Sequence, residues 1–346
     1  MATGTKTTSG MSTKNFTEND IRPADLLKGQ EEAVQSDVRY LQDRKDQFVE
    51  VACPACGSVE SQPKYSKYSF QYNACTECAT VYMNPRPSAE LLGEFYAQSA
   101  NYAYWNAHIF PASEAMRRNR IFVPRVDRVI EYCEKYGSGK NTLLEVGAGF
   151  GTFCEEMQSR SFFKNIVSVE PTPSLAETCR SKGITTIEQP IETVSFRPED
   201  RLDVVVNFEV IEHLFSPKDF ITKCGEMLQP GGLFIVTCPN GLGFDVVTLK
   251  EVSKTIDHEH VNYFNPSSLT TLLESCGFEV LEELTPGILD AELVRNAVLS
   301  GDFSLEGNDF LQQVLIDNWE TSGADFQQFL IRNKLSSNMW TIARKK

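Results

Sequence analysis

Ten of the 346 residues are cysteines, and four of them form two C-x-x-C pairs: Cys53-Pro54-Ala55-Cys56 and, 18 residues later, Cys75-Thr76-Glu77-Cys78. Each pair can place two thiolates on one tight turn, and four thiolates close a tetrahedral shell around a zinc ion. A closed shell leaves no position open for substrate, so this site is expected to serve folding rather than catalysis. The plain alternative is four unrelated free thiols. A second concentration of chemistry lies downstream. Three of the four histidines fall in two short segments, Asn207-Phe208-Glu209-Val210-Ile211-Glu212-His213 and Asp257-His258-Glu259-His260-Val261-Asn262-Tyr263. Imidazoles titrate near neutral pH, so either segment can supply a general base, and imidazole with carboxylate can also hold a divalent ion.

The third constellation is Leu143-Leu144-Glu145-Val146-Gly147-Ala148-Gly149-Phe150-Gly151, an apolar run followed by three alternate glycines. A strand turning through glycines into a helix offers free backbone N–H groups to a ligand. Glu170 closes the next apolar run about 20 residues on, where a ribose-binding acid belongs in a βαβ unit. A dinucleotide site would read G-x-G-x-x-G, whereas this stretch reads G-x-G-x-G with Glu145 inside its strand. A phosphate gains nothing from that acid. An ammonium and a sulfonium would, which favours S-adenosylmethionine (SAM).

These groups need a frame. Residues 1–22 are polar and without hydrophobic periodicity and are expected to be a disordered tail. A helix is expected within 23–48, a zinc ribbon over 49–88 with Tyr65, Tyr68, Phe70 and Tyr72 as its small core, and a helical linker or lid over 89–137. In that linker Arg117, Arg118, Arg120, Arg125 and Arg128 read as a solvated face or as contacts to an anionic substrate. From 138 to 346, strands over 143–146, 166–170, 184–188, 202–208, 233–237, 278–281 and 338–344 alternate with helices. That pattern predicts an α/β fold, a Rossmann-like, doubly wound, mostly parallel sheet with ligands at its carboxyl edge. A helical insert at 285–334 should lie on the substrate side.

Hydrophobic content of 41% and charged content of 23% describe a globular chain. The net charge of −14 argues against nonspecific nucleic-acid binding. No apolar run approaches membrane-spanning length, and the Ser/Thr-rich start lacks a signal-peptide core. A cytoplasmic protein is expected, with its cysteines reduced or bound to metal.

The glycine stretch resembles motif I of class I SAM-dependent methyltransferases, and Glu170 resembles the acid after their second strand. With the Leu228-Gln229-Pro230-Gly231-Gly232 turn and the paired last strands, the resemblance covers residues 138–283 and 336–346 and implies their seven-stranded sheet. It implies cofactor contacts from Glu145, Gly147, Ala148, Gly149, Phe150, Gly151, Glu170, Pro171, Gln189, Ile191, Asn207 and Phe208. The knuckles with Tyr82-Met83-Asn84-Pro85-Arg86-Pro87 resemble the zinc-binding part of nucleotide-sugar C-methyltransferases. Ile256-Asp257-His258-Glu259-His260 resembles their active-site stretch, with Asp257 where they carry a tyrosine. Glu209-Val210-Ile211-Glu212-His213 is similar to the E-V-x-E-H segment of ubiquinone and small-RNA O-methyltransferases. There it implies a divalent ion such as Mg²⁺, held by Glu209, Glu212, His213 and the downstream His258.

The expected function is methyl transfer from SAM to a small, anionic metabolite, such as a nucleotide-linked or activated sugar. His260 is expected as general base, tuned by Glu259 or Asp257, with His258, His213 and Glu212 as further candidate catalytic groups. The alternatives are an RNA methyltransferase reading nucleic acid through the ribbon and a non-catalytic SAM-binding scaffold.

Overall fold

The computed structural model describes residues 17–195 and 201–346. Residues 1–16 of the expected tail lie outside the described residues. Its end does not stay irregular, because Glu18–Ile21 forms a short helix.

Two sheets organise the chain. The smaller begins with β1 (Ser61–Lys67), β2 (Phe70–Cys75) and β3 (Val81–Met83). The larger contains β4 (Thr142–Val146), β5 (Asn165–Val169), β6 (Thr185–Ile187), β7 (Leu202–Phe208) and β8 (Leu228–Pro239). Two-residue β9 (Asn262–Tyr263) follows, then β10 (Phe278–Leu284) and β11 (Asn338–Lys345). The larger sheet is seven-stranded in the order β10-β11-β8-β7-β4-β5-β6. Its five-strand parallel portion ends at β8, and β11 runs antiparallel to both of its neighbours.

Composition explains the layering. Every residue of β7 is buried, as a strand covered on both faces requires. Neighbouring residues point to opposite faces, so Leu144 and Val205 join one apolar cluster while Leu143 and Val204 join the other. β8 starts earlier than 233 and takes in the Pro230-Gly231-Gly232 turn as an irregularity in register.

The linker is helical over Ala89–Gln98 and again from Ala100 to Tyr136, with π turns at Trp105–Ile109 and Arg118–Phe122. Left-handed Gly137 ends it at φ +65°. Of the five linker arginines Arg120 is exposed, and the other four are half-buried and engaged by the protein rather than forming a solvated face. Arg117 donates to the Ile21 carbonyl, Arg118 pairs with Glu114, Glu155 and Glu156, and Arg125 and Arg128 lie over Phe208 and Trp340. The insert forms helices at Asp290–Leu299, Asp309–Gln312 and Trp319–Arg332 and packs on the short helix Phe244–Leu249.

The smaller sheet is not closed on itself. Its order is β9-β3-β2-β1, so a strand that follows the His258-Glu259-His260 stretch completes the ribbon.

Candidate active site

On one side of the site, the backbone between β4 and the helix Thr152–Ser159 turns through Gly147, Gly149 and Gly151 at φ +78°, +55° and +69°. A Cβ on Gly147 would come within 2.5 Å of Val210, and one on Gly151 within 2.7 Å of Ile184. At Gly149 an added Cβ meets nothing. The first and third glycines are thus fixed by packing, and the middle one faces open space where a ligand can approach.

Glu170, just beyond β5, accepts from the backbone N–H groups of Gly149 at 2.8 Å and Thr172 at 2.9 Å. Burial raises its pKa, but each oxygen keeps a second lone pair for a hydroxyl donor. Glu145 is buried and accepts from the Cys154 thiol at 3.0 Å. Burial outweighs that bond and nearby Arg125, and pushes the pKa of Glu145 up to about 8. Asn207 donates to the Val146 carbonyl, and its Oδ1 is buried without a partner, as is the Thr152 hydroxyl. Phe150 stacks on Phe110 of the linker at 3.6 Å. An open glycine turn, two buried acids and two orphaned polar atoms fit a ligand that carries hydroxyls and a positive charge.

The other expected cofactor residues are spread. Phe208 packs between Phe153 and Trp340 under the Arg125 guanidinium, Ala148 is buried in the core and Pro171 is exposed. Gln189 is exposed, whereas Ile191 is a core residue beside Val146 and Val169.

Across the loop 207–213 the imidazoles gather. His213 and His260 face each other at 4.7 Å between ring centres. His260 Nδ1 lies 3.0 Å from the Thr255 carbonyl. A carbonyl only accepts, so Nδ1 carries the proton and the Nε2 lone pair is left free. His213 Nδ1 lies 3.1 Å from both the Glu259 carbonyl and the Tyr96 hydroxyl, which makes the same tautomer. Burial lowers both pKa values, that of His213 to about 3. Glu212 is buried, its Oε2 has no partner, and burial with nearby Glu209 raises its pKa well above the usual range.

Two expectations are corrected here. The ligand atoms of Glu212, His213 and His260 lie within 4.8 Å of one another, so His260, not His258, joins the possible metal set. Glu209 sits at φ +56° outside the helical turn Ile211–His213, and its Oε1 accepts from Thr237 and Asn338. The His260 ring is oriented by a backbone carbonyl, while Asp257 raises its pKa against the lowering by burial, the tuning expected of that neighbour.

His258 belongs to a separate buried cluster. Its Nδ1 lies 2.5 Å from Asp257, and its Nε2 lies 3.9 Å from Asp37 and 3.8 Å from Glu259. Burial alone would lower its pKa, but Asp257 and Asp37 outweigh that and push it up to about 10. Asp37 also accepts from Ser99 and from the backbone N–H groups of Ala100 and Asn101, and Asn101 donates to Glu259. Sequence reasoning missed Asp37, Asn101 and Tyr96 as partners of this site. Nothing in local spacing joins position 37 to 258.

The knuckle thiols converge. Cys53 and Cys78 lie 3.5 Å apart, as do Cys56 and Cys75, and all four sulfurs are within 4.8 Å of one another. That is the donor set and spacing a tetrahedral zinc site requires.

Comparison with known proteins agrees with this geometry. Residues 116–283 match the family model described as a methyltransferase domain. A Mycolicibacterium smegmatis protein named "Probable S-adenosylmethionine-dependent methyltransferase" is 40% identical over 87 residues, 25% of this chain and 32% of that protein. A ubiquinone biosynthesis O-methyltransferase of a Chelativorans species is 28% identical over 147 residues, 39% of this chain and 57% of that one. The chain thus spans about a third of the first relative and somewhat over half of the second. An Archaeoglobus fulgidus SAM-dependent methyltransferase superposes with a TM-score of 0.47 at 19% identity, covering 69% of this chain and all of that one. The glycine turn, its two acids and the matched residues together make this part of the chain a SAM-dependent methyltransferase domain of the class I fold.

Proposed function

We propose that the protein transfers a methyl group from SAM to a small, anionic metabolite, with a nucleotide-linked or activated sugar favoured, and that His260 removes the acceptor's proton. One observation carries the catalytic part: the Thr255 carbonyl fixes the proton of His260 on Nδ1, which leaves Nε2 as a lone pair beside His213 and Glu212. SAM supplies a methyl group activated on a sulfonium. The Gly147–Gly151 turn and Glu170 would hold its nucleoside end, and Glu145 its ammonium end. The loop 207–213 spans both halves, since Asn207 bonds the strand that carries Glu145 and His213 lies against His260. The linker helices reach both halves, with Phe110 stacked on Phe150 and Tyr102 against His213, and can shield the reaction from water. His260 Nε2 takes the proton, and half-buried Asp257 nearby favours the imidazolium that results.

We further infer that Cys53, Cys56, Cys75 and Cys78 bind one structural zinc, and that the chain works in the cytosol without nucleic-acid or membrane partners. The net charge of −14 and ten cysteines that form no disulfide favour this, and no helix among the described residues is long and apolar enough to cross a membrane.

A second reading is O-methylation assisted by a divalent ion, and the convergence of Glu212, His213 and His260 favours it. The residues fit: two neutral imidazoles and a carboxylate with an unpartnered oxygen suit a transition ion better than Mg²⁺. Such an ion lowers the pKa of a bound hydroxyl. The resemblance to ubiquinone O-methyltransferases points the same way.

The test is a screen of nucleotide sugars, phenols and structured RNA with methyl-labelled SAM. Label on a small anionic acceptor supports the proposal; label on RNA alone overturns it. Chelation that spares the ribbon zinc, followed by Mg²⁺, Mn²⁺ or Co²⁺, then separates the two readings. Turnover indifferent to every ion but lost in His260→Ala selects the general base.

A further inference from the structure

We propose that the zinc ribbon is the bracket that positions the His260 segment, with Tyr72 as its main positioning residue. This rests on the reading of His260 given above. The ribbon was expected to serve only its own fold, yet its sheet is completed by β9, with Asn262 opposite Tyr82 and Tyr263 opposite Val81. The bracket continues past this two-residue ladder. Met83 donates its backbone N–H to the Val261 carbonyl at 3.0 Å, and Lys67 donates to the Ser253 carbonyl at 2.8 Å. Asn265 donates back to the Cys78 carbonyl at 2.9 Å.

The central contact is made by Tyr72, which is fully buried and donates its hydroxyl to the Asp257 carbonyl at 2.6 Å. The amide of the same residue, Asp257, donates to the Tyr263 hydroxyl at 2.8 Å, and the two tyrosine rings meet edge to face at 5.9 Å. Residue 257 is thus held on both its N–H and its C=O, midway between Thr255 and His260, the two ends of the bond that fixes the imidazole. Ile256, Val261 and Tyr263 share one apolar cluster with Tyr72, Val81 and Met83.

The knuckle Cys75–Cys78 is the turn between β2 and β3, so closing it sets the register of the strand that pairs with β9. A mechanical path therefore runs from thiolate shell to β3, from β3 to β9, and from Tyr72 through Asp257 to His260. None of its members lies in the glycine cradle. The bracket accordingly acts on the acceptor side and leaves the cofactor side alone.

The experiment compares the zinc-loaded full chain with its Tyr72→Phe and Lys67→Met variants. The first deletes one hydroxyl and keeps the ring, and the second removes a more exposed contact, so both can be read in folded protein. Amide exchange across residues 255–261 should quicken about tenfold in Tyr72→Phe, the amount one buried hydrogen bond accounts for, and by less in Lys67→Met. Long-range proton–nitrogen spectra should show the His260 ring losing its single Nδ1–H tautomer in Tyr72→Phe. SAM affinity by calorimetry should stay within about twofold. Unchanged exchange and an unchanged His260 signature in Tyr72→Phe overturn the bracket, as does a parallel loss of SAM binding. Failure of the His260 reading is separate: it would appear as full turnover in His260→Ala while the exchange result still stood.

Discussion

The glycine cradle and the His260 segment are linked through the loop 207–213 but are built in opposite ways. The cradle is held by near neighbours. Gly147 and Ala148 donate to the Val169 carbonyl, Gly151 donates to Ala148, and Glu170 closes the turn on Gly149. Its geometry is written into one stretch of chain, where glycine dihedrals and a strand–turn–helix leave few alternatives. The His260 segment is an irregular run from Ser253 to Val261, held by Lys67, Tyr72, Met83, Asn101 and Tyr96. It has no regular structure before β9, and its shape is borrowed from the ribbon and the linker. A damaged cradle should therefore cost cofactor binding, and a damaged bracket should cost chemistry.

The largest effect should separate these two halves. His260→Ala is expected to lower turnover of the identified acceptor by about 10²–10⁴-fold, the range of general base catalysis, with SAM affinity within about twofold by calorimetry. A matching loss of SAM affinity would erase the division between the two halves.

On the other half, Glu170→Ala should weaken SAM binding at least tenfold, since a hydrogen bond to a charged group contributes roughly 1.5–3 kcal/mol. It also leaves the amides of Gly149 and Thr172 without their acceptor. Affinity unchanged, or NAD preferred over SAM, would remove the cradle from the cofactor site. Within the cradle, Gly147→Ala should do more damage than Gly149→Ala, because the first adds a clash with Val210 to the left-handed strain and the second adds only the strain.

Cys75→Ser should reduce the metal content from about one zinc per chain to none by elemental analysis, because each thiolate is a quarter of the shell. Retained zinc in that variant would mean that the knuckles are not the site.

The smallest effect is in the pH dependence of stability, and it has opposite signs at two histidines, His213 and His258. An unfolded histidine binds its proton below about 6.5, whereas folded His213 does so only near 3. Between these values the unfolded chain binds more protons, so the fold loses stability as pH falls below 6.5. His258 is held at about 10 by Asp257 and Asp37. Its contribution is complete below 6.5 and is lost as pH rises toward 10. Thermal melts should therefore show a shallower acid decline in His213→Gln and a shallower alkaline decline in His258→Gln. Identical slopes in both variants and the parent would refute this pairing.

Much of the molecule can be read directly from its residues. Buried strands announce themselves as apolar runs, the glycine spacing marks its turn, and C-x-x-C pairs mark their shell, because each depends on contacts within a few residues. The acceptor side resists that reading. E-V-x-E-H looks like one helical face, yet Glu209 leaves the turn at positive φ and bonds to β8 and to Asn338. His258 looks like the metal histidine by its spacing, but Asp37, 221 residues away in the chain, takes it into a different cluster.

What the sequence determined by itself was the cradle, the knuckles and the alternation of strands and helices, since backbone dihedrals, thiol spacing and hydrophobic period act locally. Only the tertiary structure decided which imidazoles meet. That choice depends on a two-residue strand pairing with the ribbon and on one tyrosine hydroxyl reaching a carbonyl 185 positions away. Such contacts arise when packed layers bring distant surfaces together, and no periodicity in the chain records them.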